Sequence, residues 1–338
     1  MPDMPSYAII ALLLALVVVI LVVSTRALAR GVERRFPPTG AYAQIGGVQL
    51  HYLEIGAGPD ADLPPMVFIH GAAGNALDLH GAFAGALAGR GRMVFVDRPG
   101  AGYSRRSRRT AISPQAQART IADLIDRLNI GPAVIVGHSF GGAVAAALAV
   151  QDPDKVAGVV FVAPATHPWP GDALTWYYNL ARLPVIGHGF AHLIAVPFGN
   201  LLYRRAVKSV FEPDKPPRDY ASRSATRLVL RPASFHANAA DVGALNTHLR
   251  ELSTRYGKIS SPVTIITGDR DNVVSPELHS KGLARDIEGA RLVWLEGRGH
   301  MLTYAATDEI VSEIEALGRR VKDPSGRDQM PDRPSLAT

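Results

Sequence analysis

The sequence predicts an α/β fold, a mostly parallel central sheet with helices on both faces and a helical insertion, and three observations predict it. Short apolar runs bounded by turn residues recur along the chain, at Met66 to His70, Met93 to Asp97, Ala133 to Val136, Val156 to Val162 and Val263 to Thr267. Fully buried parallel strands have this appearance. Segments with helical spacing of apolar residues lie between them, and strands alternating with helices require a sheet covered on both sides. The alternation stops between about residues 165 and 256, where aromatics and prolines replace β-rich runs.

The first element is an uninterrupted apolar run from Tyr7 to Val23, which Ser24 and Thr25 extend. Its length falls within the roughly 17 to 25 residues that cross the hydrocarbon core as a helix. Residues 1–30 are therefore read as a transmembrane anchor with a basic flank, the membrane contact running through residues 7–25. A signal peptide cleaved near Ala27-Leu28-Ala29 is the alternative, leaving a secreted enzyme. No Lys or Arg precedes the run, and the run exceeds a usual signal core of about 7 to 15 residues. Arg26, Arg30, Arg34 and Arg35 follow it, so the positive-inside rule puts the remainder of a single-pass protein in the cytoplasm.

Residues 31–40, with Pro37, Pro38 and Gly40, read as a linker, and residues 41–319 as the folded domain. Val48 to Ile55 is its first expected strand. Ala76 to Ala88 reads as a helix, as do Thr120 to Leu128 and Gly142 to Val150. The insertion carries Trp169, Trp176, Tyr177, Tyr178, Phe190, Phe198, Tyr203 and Phe211. Beyond it, Val263 to Thr267 and Leu292 to Leu295 resume the strands, and Thr307 to Leu317 reads as the last helix. Residues 320–338 are polar with three prolines and read as a disordered tail.

Composition narrows the chemistry. With no cysteine, thiolate catalysis, disulfides and cysteine-ligated zinc are excluded. The net charge of +6 is spread along the chain without a basic stripe interleaved with aromatics, so no nucleic-acid partner is indicated. Arg105, Arg106, Arg108 and Arg109 read as a solvated loop. His188 and His192 have zinc-like spacing, but Gly189 stands where a zinc protease has its glutamate, so no metal is assigned. No organic cofactor is implied either.

Gly137-His138-Ser139-Phe140-Gly141-Gly142 follows one expected strand and opens one expected helix, the context that G-x-S-x-G requires. A serine hydroxyl is a weak nucleophile and needs a base within hydrogen-bond reach, plus a third group that fixes the base's tautomer. Asp271 and His300 follow later strands, in the order Ser, Asp, His, and both lie at the carboxyl edge of the sheet where sites of such folds gather. Asp269 is the rival of Asp271. The other histidines fall inside a strand, on helices or in the insertion, and His138 reads as a packing residue behind the turn. Backbone N–H groups of Phe140, after the nucleophile, and of Ala72, in the glycine-containing turn after Met66 to His70, are the expected donors to an oxyanion.

These pieces, with His70-Gly71, Asp97 to Ser104, Gly268 to Asp271 and Gly299-His300, resemble the α/β-hydrolase superfamily, in its esterase, lipase and epoxide-hydrolase-like group. The likeness spans most of residues 40 to 318. It implies that residues 165–256 form a cap and that Asp97 to Ser104 shapes a loop without taking part in chemistry. Relatives acting on epoxides or haloalkanes use an aspartate nucleophile, whereas Ser139 implies an acyl-enzyme. Ester hydrolysis is the simplest case; thioester, amide, carbon–carbon bond and perhydrolase chemistry use the same three residues. The aromatic cap implies a small-molecule substrate with an apolar acyl group. A non-catalytic binding module on the same fold is the alternative from another class.

Overall fold

Strands β3 (Met66–Ile69) and β4 (Met93–Val96) are four residues each and bury every side chain, which places them in mid-sheet. In the computed structural model, which describes residues 5–107, 112–170, 183 and 186–323, the described strands form a nine-stranded sheet. Its order is β1-β2-β4-β3-β6-β7-β8-β9. Here β1 is Ala41–Ile45, β2 Val48–Ile55, β6 Ala133–His138, β7 Val156–Val162, β8 Val263–Gly268 and β9 Arg291–Leu295. From β4 to β9 all pairs are parallel, while β1 and β2 form an antiparallel hairpin that joins β4 antiparallel. A two-residue strand, β5 (Arg105–Arg106), pairs with β2 where a solvated loop is expected. Arg106 is half-enclosed there and ion-paired; Arg108 and Arg109 lie outside the described residues.

Both faces are covered, as parallel pairing requires. Helices α3 (Pro114–Leu128) and α4 (Phe140–Gln151) pack on one face, and α2 (Ala76–Phe83) lies on the other. The expected helix from Thr120 begins earlier, at Pro114, because Ser113 accepts from the Ala116 N–H and proline occupies the first turn. Helix α4 buries all its residues from Phe140 to Val150. Small alanines let it lie close to the sheet.

The insertion is helical, as expected. The chain from Ile186 passes through a π-helical turn at Ala191–Ala195 into α5 (Val196–Phe211), and α6 (Pro232–Leu252) returns toward the sheet. Trp176, Tyr177 and Tyr178 lie outside the described residues. After β8 come α7 (Ser280–Asp286), strand β9 and α8 (Thr307–Lys322). The last helix thus runs three residues into the expected tail; residues 324–338 lie outside the described residues.

At the other end, α1 spans Ser6–Arg35 as one 30-residue helix, long and apolar enough to cross a membrane. It continues through Arg35, where a linker is expected, because Val32 and Phe36 bury against Ala225 and Leu228 of the cap region. Thr25 donates to the carbonyl of His192 at 2.6 Å. Glu33 pairs with Arg231, and the Tyr103 hydroxyl donates to the Phe36 carbonyl. The residues from Tyr7 to Val23, by contrast, leave most of their apolar surface open.

Candidate active site

Ser139 sits between β6 and α4 with φ 53° and ψ −119°, a backbone conformation that a non-glycine residue adopts only when its surroundings enforce it. The enforcement is close approach. A Cβ at Gly137 would stand 2.6 Å from the Gly141 carbonyl oxygen, and one at Gly141 would overlap the carbonyl of Ile69. The Ser139 N–H donates to Val162 O at 3.0 Å, which ties the turn to β7.

His300 Nε2 lies 3.1 Å from Ser139 Oγ, and His300 Nδ1 lies 2.7 Å from Asp271 Oδ2. All three side chains are buried. The second oxygen of Asp271 accepts from the N–H groups of Val273 and Val274, both at 2.8 Å. Those bonds fix the carboxylate so that only one oxygen faces the imidazole, and that oxygen sets the tautomer with a proton on Nδ1. His300 Nε2 is then the acceptor that a serine hydroxyl needs. Asp269 is turned elsewhere and accepts from the Gly297 N–H at 2.6 Å. The two aspartates are two residues apart in one turn; the structure brings Asp271 to His300 and uses Asp269 to hold the loop that carries His300.

His138 is not a packing residue behind the turn. Its ring lies 5.1 Å from that of His300, it forms part of the pocket wall, and its Nε2 faces the His300 carbonyl oxygen at 3.3 Å. Burial, reinforced by His300, pushes its pKa down to about 3, so it stays neutral.

The turn after β3 brings Ala72 to the pocket, opposite Ser139 and the first turn of α4 that begins with Phe140. Its shape is held from behind by Arg98, which is 1% exposed. Nε of Arg98 donates to His70 O at 3.0 Å and Nη2 to Gly71 O at 3.1 Å. With these two carbonyls drawn to the guanidinium, the following N–H groups face the other way. His70 accepts from the Arg98 N–H on Nε2 and reaches Gly71 O through Nδ1, so it too is neutral, its pKa lowered to about 3 by burial and by Arg98. The buried guanidinium is paired with Asp241 of α6 at 3.1 Å and also lies over the Phe140 ring. Asn238, one helical turn earlier, accepts from the Ala73 N–H at 2.7 Å. Asp214 braces the His300 loop by accepting from the Gly299 N–H at 2.8 Å.

Asp97 to Ser104 therefore does more than shape its own loop. Arg98, Asn238, Asp214 and Asp241 are absent from the expected site because the partners that place them lie between 27 and 165 residues away. Only the isolated Asp97-Arg98 pair at a strand end marks one of them in the sequence.

Ser139 and His300 open into a cavity of about 620 Å³ whose far wall is the cap. Phe190, Phe198, Tyr203 and Phe211 line it, as the aromatic content of the insertion leads one to expect, together with Ile194, Leu202 and Phe235. Trp169 packs on His279 instead. Among the described residues no cluster of His, Asp and Glu could hold a metal ion; the side chain of His188 lies outside them.

Residues 64–305 match the family model described as the alpha/beta hydrolase fold, and the chain belongs to that family of hydrolases. It is 28% identical over 295 residues to the magnesium-chelatase 30 kDa subunit of Rhodobacter capsulatus, covering 84% of this chain and 97% of that one. It is 27% identical over 262 residues to a mouse sn-1-specific diacylglycerol lipase, covering 71% of this chain and 76% of the lipase. The solved structure of a membrane phospholipase A superposes with a TM-score of 0.65 at 21% identity, covering 94% of this chain and 96% of that one. That last likeness is one of fold.

Proposed function

We propose that the protein is a serine hydrolase that cleaves a carboxylic ester or related acyl bond through an acyl-enzyme on Ser139. The observation that carries this reading is the chain of two hydrogen bonds from Ser139 Oγ through His300 to Asp271 in the wall of an apolar cavity. In the first half-reaction His300 Nε2 takes the hydroxyl proton as Oγ attacks the carbonyl carbon. The oxyanion is held by the N–H groups of Ala72 and Phe140. The carbon–oxygen bond to the alcohol then breaks, and His300 gives its proton to the departing oxygen. Water, deprotonated by His300, repeats the attack and releases the acid. No metal or cofactor enters either half.

The cavity favours an apolar acyl group, since charge would lose its hydration there without a partner. The same reading places residues 7–25 in a lipid membrane, with the catalytic domain on the cytoplasmic side. Phe198, Leu201 and Leu202 of α5 are exposed, and α5 packs on α1, so apolar surface of the cap continues from the anchor. An anchored lipid or long-chain acyl hydrolase makes use of such a surface.

A fluorophosphonate probe tests the proposal, because only an activated serine is labelled. Labelling of the wild-type chain and none of Ser139→Ala is the expected result, together with loss of ester turnover in a folded variant. Unlabelled wild-type protein would favour the second reading, a binding module. That reading draws on the relative named as a chelatase subunit, which matches nearly end to end.

A further inference from the structure

Among the described residues, the apolar cavity has one acidic wall residue, which the acyl-transfer mechanism does not use. Asp78, in the first turn of α2, is 3% exposed, lines the cavity, and its Oδ1 has no hydrogen-bond partner. An unpaired buried carboxyl oxygen costs stability unless something satisfies it. Its backbone carbonyl accepts from Tyr304 at 2.7 Å, so the residue is held firmly, and the hydroxyl of Tyr220 lies beside the carboxyl. Across the cavity wall Tyr203 and Thr226 bond to each other at 2.6 Å. Asp78 thus centres a small polar patch in a greasy chamber.

We propose that Asp78 anchors a subsite that takes a hydroxyl group carried by the alcohol part of the ester, a reading that rests on the esterase function above. Two features set the position. A Cβ at Gly74, in the turn that carries Ala72, would be 3.3 Å from Asp78 Oδ2, and one at Gly71 of the same turn 2.9 Å from Ser139 Cβ, so a single turn adjoins both the carboxyl and the nucleophile. Met301 and Tyr304, which flank the subsite, lie one and four positions after His300 in sequence. His300 must protonate the departing alcohol, so the alcohol lies on this side.

The neighbours set the chemistry. Tyr203, Tyr220 and Thr226 are neutral hydroxyl groups, and Asp78 is the sole acidic residue in the described wall. An ammonium group would have to leave water for a single carboxyl, which costs several kcal/mol per ion. A hydroxyl loses less on burial and can both donate to Oδ1 and accept from a tyrosine. Burial also pushes the Asp78 carboxyl up to about 7, against the pull of the tyrosines, which suits a neutral guest.

The test compares 2-hydroxyethyl octanoate with propyl octanoate, which replaces the hydroxyl by a methyl, on the full-length chain in detergent micelles. We expect kcat/KM to favour the hydroxy ester by about tenfold or more, the discrimination a site built for a hydroxyl shows. Asp78→Leu should abolish the preference while retaining turnover of the propyl ester, and Asp78→Asn should keep part of it. Equal kcat/KM for the two esters in the wild type would overturn the subsite, whether or not the variants fold. Preference for octanoylcholine over the hydroxy ester would replace the hydroxyl site with a cation site and overturn it too.

A binding measurement separates this failure from that of the esterase reading. In Ser139→Ala, 2-(octyloxy)ethanol should bind about tenfold tighter than octyl propyl ether by calorimetry, a difference that needs no catalysis. That difference without turnover of either ester in the wild type would retain the subsite and sink the esterase. Equal binding alongside turnover would do the reverse.

Discussion

The carboxylate of Asp241, on a cap helix, accepts from Nη1 of Arg98 at 3.1 Å, while its other oxygen accepts from Arg106 at 2.6 Å. Through Arg98 it is linked to the carbonyls of His70 and Gly71, and so to the turn that presents Ala72. A cap helix therefore braces the turn that carries Ala72, the proposed oxyanion donor, as well as covering the cavity. Asp241→Leu leaves two arginines without their shared partner, and breaking such a buried pair costs about 3–5 kcal/mol. We expect a marked fall in Tm and a drop in kcat on the order of 100-fold, comparable to loss of one oxyanion donor. Asp241→Asn, which keeps the acceptor oxygen, should lose less of both. Wild-type kcat in a folded Asp241→Leu variant would show that the turn holds its shape unaided.

Asp271 and Asp269 give a sharper comparison. Asp271→Asn leaves the shape of the site but removes the acceptor that fixes the His300 tautomer, so kcat should fall by about 10⁴. Asp269→Asn keeps an oxygen for the Gly297 N–H and should cost less than about tenfold, the scale of one weakened neutral hydrogen bond. Equal losses in steady-state kinetics would move the acid's role away from Asp271.

Chain length should matter. A cavity of about 620 Å³ lined by the cap has room for more than an acetyl group. We expect octanoyl esters to exceed acetyl esters in kcat/KM by at least tenfold, since each buried methylene contributes about 0.8 kcal/mol. Better turnover of acetyl esters would mean that most of the chamber serves another part of the substrate.

Asp78 predicts a pH dependence of stability. Its carboxyl titrates near 4 in the unfolded chain and is raised to about 7 in the folded one, chiefly by burial. Between those values the folded state holds a proton that the unfolded state has released, so stability falls as pH rises from about 4 through 7. Asp78→Asn removes the effect. The variant should match the wild type near pH 4 and exceed it at pH 8, by about 4 kcal/mol at most. A difference in Tm that does not change with pH would contradict this assignment.

Protease added to intact spheroplasts should leave the catalytic domain uncut, and alkaline carbonate should leave the chain in the membrane fraction. Digestion without lysis would place the domain on the outer side. Full-length protein released by carbonate without detergent would refute the anchor.

Ser139, His300 and the parallel strands beneath them were legible because each depends on a short stretch of chain: an apolar run, then glycine, then the reactive side chain. Asp271 was legible to within two residues, since Asp269 shares its turn and only the direction of the carboxylates separates them. The Asp241–Arg98 pair joins residues 143 apart and leaves no local pattern. Strand β1 buries only Ala43 and Ile45, too few to stand out from a loop. β5 is two arginines, and charge pointed to solvent where one of them in fact reaches Asp241. In α1, the apolar residues after Arg26 are sparse, and its extension to Arg35 depends on a cap surface that becomes available only once the chain has folded.

That extension bears on how the enzyme meets its substrate. Were residues 7–25 seated in a bilayer as proposed, the ten helical residues from Arg26 to Arg35 would act as a mast about 15 Å tall, at roughly 1.5 Å per residue, with the cap lashed to it at Val32 and Glu33 and to its foot at Thr25. A flexible leash would let the catalytic domain tumble and sweep a hemisphere of solvent. A mast fixes both its height and its heading. On the proposed anchoring, the chamber would travel with the leaflet in two dimensions, presenting one side of the cap to the headgroups, and encounters would be governed by the surface density of substrate in the membrane rather than by its concentration in bulk water.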